Sequence, residues 1–195
     1  MKKSMVILFA IVFLSSGIAS AIPIQWESTI GGNDNWYDVV FYSGTWDEAR
    51  LNSEQQSWND ITGHLVTLTS AEENAFVWDN LPYNLFFLGG YQTDKSAEPG
   101  GNWAWVTGEL WDYTNWHPNE PNDGQGYSGE DEDHLEFKGI TTTGEWNDIY
   151  NSWSRDGYIV EYDSIPAPVP EPATMLLLGS GLIGLVGFRK KFRKI

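Results

Sequence analysis

Between Gly90 and Gly157 the chain runs for about sixty residues with little helical or strand periodicity. Gly, Asn, Asp and Trp dominate this stretch. A loop of that length inside a compact domain is usually functional. Any fold for this chain must hold a long irregular excursion, with patterned segments on both sides to anchor it. Upstream, Tyr37–Tyr42 reads as a strand. Thr45-x-x-Glu48 is a capping box that opens a helix containing Trp46 and Ala49, and Ser70-x-x-Glu73 opens a second through Phe76 and Val77. A short strand, His64–Leu68, lies between them, and Leu85–Gly90 is an apolar run ended by glycines. Downstream, His134–Phe137 and Gly157–Tyr162 read as short strands, the latter placed to pair with the first strand and close the domain. Two helices followed by loop-connected short strands predict an α+β domain.

The chain has 195 residues, and length alone favours one domain. Eleven tryptophans in a composition 41% hydrophobic mark a core-forming sequence rather than a disordered one. Cysteine is absent, so neither a disulfide framework nor a zinc–thiolate site is available. Acids outnumber bases 27 to 11. Between residues 22 and 170 only Arg50, Lys95, Lys138 and Arg155 stand against 26 acids, leaving the body at about −22. Such a body has no basic patch to neutralise phosphates, which argues against nucleic-acid binding and disfavours anionic lipid surfaces. Divalent cations suit it. A merely soluble, acidic exported surface is the plainer alternative.

The two ends read as targeting segments rather than fold. Lys2-Lys3, the apolar run Met5–Leu14 and Ala19-Ser20-Ala21 form a secretory signal peptide over residues 1–21. A proline-rich spacer, Ile165–Pro170, leads into Pro170-Glu171-Pro172. The apolar segment Ala173–Phe188 follows, then Arg189, Lys190, Lys191, Arg193 and Lys194. As a helix that segment reaches roughly 24 Å, marginal for a bilayer core of about 30 Å. The basic cluster would stay cytoplasmic. This three-part tail, residues 166–195, resembles the PEP-CTERM sorting signal of Gram-negative bacteria. The resemblance implies recognition by an exosortase, transient residence in the inner membrane, cleavage near Pro-Glu-Pro and release or attachment outside the cell, often with extracellular polysaccharide and biofilm. An ordinary tail anchor is the alternative.

Residues 120–136 carry seven carboxylates. Packing them together is unfavourable without a counter-ion. Calcium takes six to eight hard oxygen ligands, and Asp, Glu and Asn are the donors offered. A cysteine-free, histidine-poor cluster suits calcium better than zinc or copper. The spacing is not that of an EF-hand. A solvated acidic loop remains the bland reading.

The words in and around this loop occur in a telling order: Trp103-x-Trp105, Asn115-Trp116, Glu120-Pro121-Asn122, Glu132-Asp133 and Trp146-Asn147-Asp148. With Thr45–Ala49, His64–Leu68, Glu73–Phe76, Phe87–Gly90 and the closing Gly157–Tyr162, they resemble the C-type lectin-like domain over about residues 37–162 of a body spanning 22–165. The resemblance implies a double-loop α+β fold with small antiparallel sheets and calcium in the long loop. It implies a principal calcium site made by Glu120, Asn122, Glu132, Asn147 and Asp148, with a cis bond before Pro121. It also implies a possible second site from Asp94, Glu98, Asp123 and Asp133. The same principal residues would bind sugar, two vicinal hydroxyls meeting the ion and its ligands. Glu-Pro-Asn implies mannose-, glucose- or fucose-like selectivity, where Gln-Pro-Asp would imply galactose.

The sequence also departs from the family. All its cysteines are missing, and His134 stands where one is expected, read here as a packing or hydrogen-bonding substitute. The interval before Glu132 is long, so Glu130-Asp131 is a rival register for the third ligand; Glu132-Asp133 is preferred because His134–Phe137 then continues as the strand. Trp103, Trp105, Trp116 and Trp146 read as core. Trp111 and Tyr127 are less constrained; Tyr127 lies in the calcium loop, where stacking on a sugar face is the lesser reading. Two functions stay open: a calcium-dependent carbohydrate-binding module, and a protein-binding or matrix-structural domain whose calcium only rigidifies the loop. An enzyme is not expected, because no nucleophile–base motif or cofactor loop is present.

Overall fold

The computed structural model describes residues 22–81, 85–126, 130–139 and 141–164. The chain divides into two units, Met1–Asp163 and Ser164–Ile195, and the fold below belongs to the first. The expected signal peptide, the apolar segment 173–188 and Tyr127 lie outside the described residues. Among the described residues no helix is long and apolar enough to cross a membrane.

The described fold has ten strands and two α-helices in the order β1 (Ile24–Gln25), β2 (Trp36–Gly44), α1 (Trp46–Ser53), β3 (Ser57–Trp58), β4 (Ile61–Thr62), β5 (His64–Leu65), α2 (Ala71–Asn80), β6 (Phe87–Gln92), β7 (Trp103–Trp105), β8 (His134–Phe137), β9 (Trp146–Ile149) and β10 (Arg155–Tyr162). Eight strands form one sheet in the order β1-β2-β10-β6-β8-β9, with β5 on β10 and β7 on β6. β10 is buried from Gly157 to Tyr162 because neighbours cover it. It runs antiparallel to β2, with Gly157 opposite Phe41 and Tyr162 opposite Trp36, so the two ends of the domain close on each other as expected.

The helix starts show how tertiary packing edits local signals. Thr45 completes its box: its side chain accepts from Glu48 N–H, and the Glu48 carboxylate accepts Thr45 N–H at 2.9 Å. At α2 only half the box forms. Ser70 Oγ accepts Glu73 N–H at 3.1 Å, but the Glu73 carboxylate instead accepts from Thr69 N–H at 2.8 Å and the Tyr37 hydroxyl at 2.7 Å. Tyr37 is fully buried, and its hydroxyl needs that acceptor. The expected strand 64–68 is likewise shortened to β5, because Thr67 N–H bonds the Glu161 carboxylate at 2.9 Å rather than a neighbouring backbone. β7 was not anticipated from sequence; it pairs with β6 and brings Trp103 and Trp105 inside.

The core has two parts. One gathers Trp78, Trp103, Trp105 and Trp146 with Leu68, Leu88 and Leu135. The other surrounds Trp46, Phe87, Tyr158 and Val160. His134 is buried and stacks on Trp46 with ring centroids 4.2 Å apart, the packing role expected of it. Burial holds its imidazole down at about 4, hence neutral.

Candidate functional site

The long loop is sewn to β9 from its far side. Trp146 N–H donates to Asn115 C=O at 2.8 Å, and His117 N–H to Trp146 C=O at 2.9 Å. Beneath this seam lie the indoles of Trp103, Trp105, Trp111 and Trp116, all packed with Trp146 into the first core cluster. Trp111 therefore belongs with the core tryptophans. Trp146 itself is anchored from α2: its Nε1–H donates to Asn74 Oδ1 at 2.7 Å, while Asn74 Nδ2 donates to Gly144 C=O at 3.1 Å. A buried floor thus fixes where the next residues emerge.

Those residues are acidic. The Glu120–Pro121 bond is cis. Asn122 N–H and Asp123 N–H both donate to Asp148 Oδ2, at 2.8 and 2.7 Å. Asn122 Nδ2 donates to Glu120 Oε2. Gly124 has φ 56°, and a side chain there would collide with the Tyr150 ring, so only glycine fits this turn. Its N–H donates to Glu132 Oε2 at 2.6 Å. β8 and β9 pair so that Glu136 faces Asn147 and Leu135 faces Asp148. Glu136 Oε1 accepts from Asn147 Nδ2 at 2.9 Å and from the Arg155 guanidinium at 3.0 Å. Lys138 Nζ donates to Glu120 Oε1 and to Asn147 Oδ1, the latter at 2.7 Å.

The electrostatics are those of crowded, buried carboxylates. Burial, followed by the charge of Asp148, pushes Glu132 up to about 7 despite the Gly124 N–H. Burial pushes Asp148 up to about 6 against the two N–H groups it accepts. Asp148 Oδ1, Asp133 Oδ1 and both oxygens of Glu98 are buried without a hydrogen-bond partner. Such orphaned anionic oxygens are costly unless something positive meets them. Hard oxygens without thiolate or imidazole fit calcium or magnesium.

A second acidic group lies nearby. Glu98, Asp123 and Asp131 each bring a carboxylate oxygen within 4.8 Å of the others. Burial, then the charges of Asp123 and Asp133, push the Glu98 carboxyl above its usual range. Asp131 also pairs with Lys95. Asp94 is turned to local work: its Oδ1 accepts from Asn102 Nδ2 at 2.7 Å and Ser96 N–H at 2.8 Å.

Comparison with known proteins sets this geometry beside other chains. The PEP-CTERM protein-sorting motif matches residues 168–193, and such a motif implies export and C-terminal sorting. Lectin BRA-3 of Megabalanus rosa is 30% identical over 126 residues, which cover 63% of this chain and 72% of that protein. The cow C-type carbohydrate-recognition domain of CD23, solved in the presence of a GlcNAc2Man3 oligosaccharide, superposes with a TM-score of 0.53 at 24% identity, covering 67% of this chain and 89% of that one. The chain belongs to the C-type lectin family. It is also 29% identical over 161 residues to halomucin of Haloquadratum walsbyi, of which it spans 2%. The expectation of a binding domain rather than an enzyme agrees with its C-type lectin relatives.

Within this C-type lectin fold, Glu120, Asn122, Asn147, Asp148 and Glu132 fall into one network of hydrogen bonds and mutual charge. Glu130, the rival to Glu132, is exposed and takes the Ser152 hydroxyl instead. Of the four residues expected for a second ion, Glu98 and Asp123 come together, joined by Asp131. Asp133 acts on Glu98 through its charge, and its Oδ2 is held by Asn151 Nδ2 at 2.7 Å. Lys138, Glu136 and Arg155 were not singled out as site residues from sequence, whereas Asp131 entered with Glu130 as the rival register, and it is Asp131 that lies with Glu98 and Asp123. The scarcity of bases pointed to Lys138 and Arg155, since two of the four in the body lie here. Two-residue alternation along β8 put Glu136 and Lys138 on one face.

Proposed function

We propose that the protein is an exported, calcium-dependent glycan-binding C-type lectin of mannose-, glucose- or fucose-type selectivity, working at the cell surface or in extracellular polysaccharide. The observation that carries this reading is the set of orphaned oxygens on Asp148, Asp133 and Glu98 beside a Glu132 too crowded to ionise easily. Glu120, Asn122, Glu132, Asn147 and Asp148 would hold the principal calcium. Glu98, Asp123 and Asp131, with Asp133 beside them, would hold a second, and Asp94 would first have to leave Ser96 and Asn102.

When bound, calcium supplies an oxygen-seeking centre that a vicinal diol can join in place of water. The chain's own side chains set the selectivity. Glu120 accepts a hydroxyl proton, and the amides of Asn122 and Asn147 donate to hydroxyl oxygens. One sugar held this way has a dissociation constant around millimolar, about −4 kcal/mol, so useful avidity needs many copies on a surface or a repeating glycan. Residues 1–21 would direct export and residues 166–195 would be the exosortase substrate, anchoring the chain in the inner membrane until cleavage. The PEP-CTERM match at 168–193 supports the reading of the tail. A Gram-negative, biofilm-associated setting follows from the same tail.

Retention on a mannose resin tests the reading. The exported protein should bind in calcium and elute with chelator, while Asn147→Asp and Glu120→Ala pass through folded. Retention unchanged in both variants would sink it. A protein-binding or matrix-structural role is the second reading. Lys138 favours it, since the sugar-facing carboxylate and amide already have an internal partner.

A further inference from the structure

We infer that Lys138 is the resident cation of the principal site: in the metal-free chain its ammonium sits on Glu120 and Asn147, and calcium reaches those two ligands only by displacing it. The inference rests on the calcium reading above and deepens it, because it says what sets the calcium concentration at which the site opens.

Lys138 follows β8, and its own N–H donates to Glu145 C=O at 2.8 Å, which fixes the residue at the mouth of the β8–β9 pair. Alternation puts its side chain on the face of Glu136, directly beside Asn147. An ammonium has three donors and no acceptor. One goes to Glu120 Oε1 and one to Asn147 Oδ1. The remaining polar atoms of these partners are also taken. Asn122 Nδ2 reaches Glu120 Oε2, and Asn147 Nδ2 reaches Glu136, itself clamped by Arg155. Glu120 and Asn147 are therefore oriented, oxygens inward, around one positive group.

Asp148 Oδ1, by contrast, has no partner, and Glu132 carries the charge of its neighbours. The lysine thus answers one half of the site and leaves the other half repelling itself. A single tethered charge with three donors cannot serve the six to eight oxygens that calcium gathers. Calcium wins only once its concentration outweighs the loss of two charge-assisted bonds from Lys138. Once displaced, the ammonium stays on its short tether at the rim. In a body with only four bases, placing one on Glu120 and Asn147 raises the calcium concentration needed to fill the site.

The test uses the exported protein, with calcium added to a chelated sample. Lys138→Met should bind calcium at least about tenfold more tightly than wild type, because calcium no longer has to displace the two charge-assisted bonds to Glu120 and Asn147. It should also melt lower than wild type in chelator, with the gap closing in saturating calcium. A lysine that merely supports the fold would lower melting equally in both conditions and leave affinity alone, which would overturn the inference while leaving calcium-dependent binding intact. If neither wild type nor variant binds calcium, the inference and the calcium reading fall together. Should Lys138→Met not fold, the wild-type lysine side-chain NMR signal decides. It should shift on calcium saturation, and an unmoved signal during calcium binding would refute displacement.

Discussion

Replacing Glu132 by glutamine should have opposite effects with and without metal. Glu132 is 7% exposed, and its carboxyl is lifted from 4.5 to about 7 by burial and by Asp148. At about 1.4 kcal/mol per pH unit, holding it ionised at pH 8 costs the folded state up to about 3 kcal/mol. Glutamine keeps an acceptor for the Gly124 N–H and loses the charge. Glu132→Gln should therefore stabilise the chelated protein at pH 8 by about 1–3 kcal/mol, a rise of several degrees in melting temperature for a domain of this size. In calcium the sign reverses, because a ligand is gone and the stabilisation that binding confers shrinks with affinity. Thermal melts of both proteins at pH 8, in chelator and in millimolar calcium, read the effect. A variant that melts lower than wild type in chelator would show that Glu132 is not a strained anion, and the crowding account would be wrong.

Three other outcomes follow from the packing. Asn74→Ala removes the acceptor for Trp146 Nε1–H and the donor to Gly144 C=O, both buried, and should cost about 2–4 kcal/mol in denaturant unfolding. His134→Ala leaves a hole against Trp46 and should cost about 1–3 kcal/mol by the same assay, with sugar retention preserved. His64 is held at about 9: burial opposes its charge, but Asp163 and buried Glu161 outweigh it. That support is complete below pH 6.5 and fades as pH climbs through 9, so the metal-free melting temperature should fall over this window, and His64→Gln should flatten the slope. The upper bound is about 3 kcal/mol, and about 1–2 is expected because Asp163 is largely exposed.

Much of this was legible in the chain. The capping residue Thr45, the closing strand ending at Tyr162 and the Trp-Asn-Asp word on β9 are local patterns, and local patterns survive folding. The misses share one physical cause: side chains recruited across the fold. Glu73 abandons its capping partner for the Tyr37 hydroxyl, Glu161 takes the Thr67 N–H and shortens β5, and Trp111 joins a floor assembled from four separate segments. At the site, the ordered words named residues that the fold joins in one hydrogen-bonded network, but a count of carboxylates said nothing of which oxygens would be left bare. Asp94 is drawn off by Asn102 and Ser96, contacts that form only when the loop folds, and Asp131, from the less favoured Glu130-Asp131 register, takes the place near Glu98 expected of Asp133. Lys138 was visible as a rare base, yet its role depends on β8 pairing with β9 in one register.

The central claim is that these carboxylates hold calcium and that calcium holds sugar. Calorimetry on the purified exported protein tests it most directly, with calcium titrated first and mannose second in saturating calcium. The account predicts calcium heat, then weak sugar heat near millimolar affinity that vanishes with chelator. Absence of any calcium heat would contradict it, whatever the fold resembles.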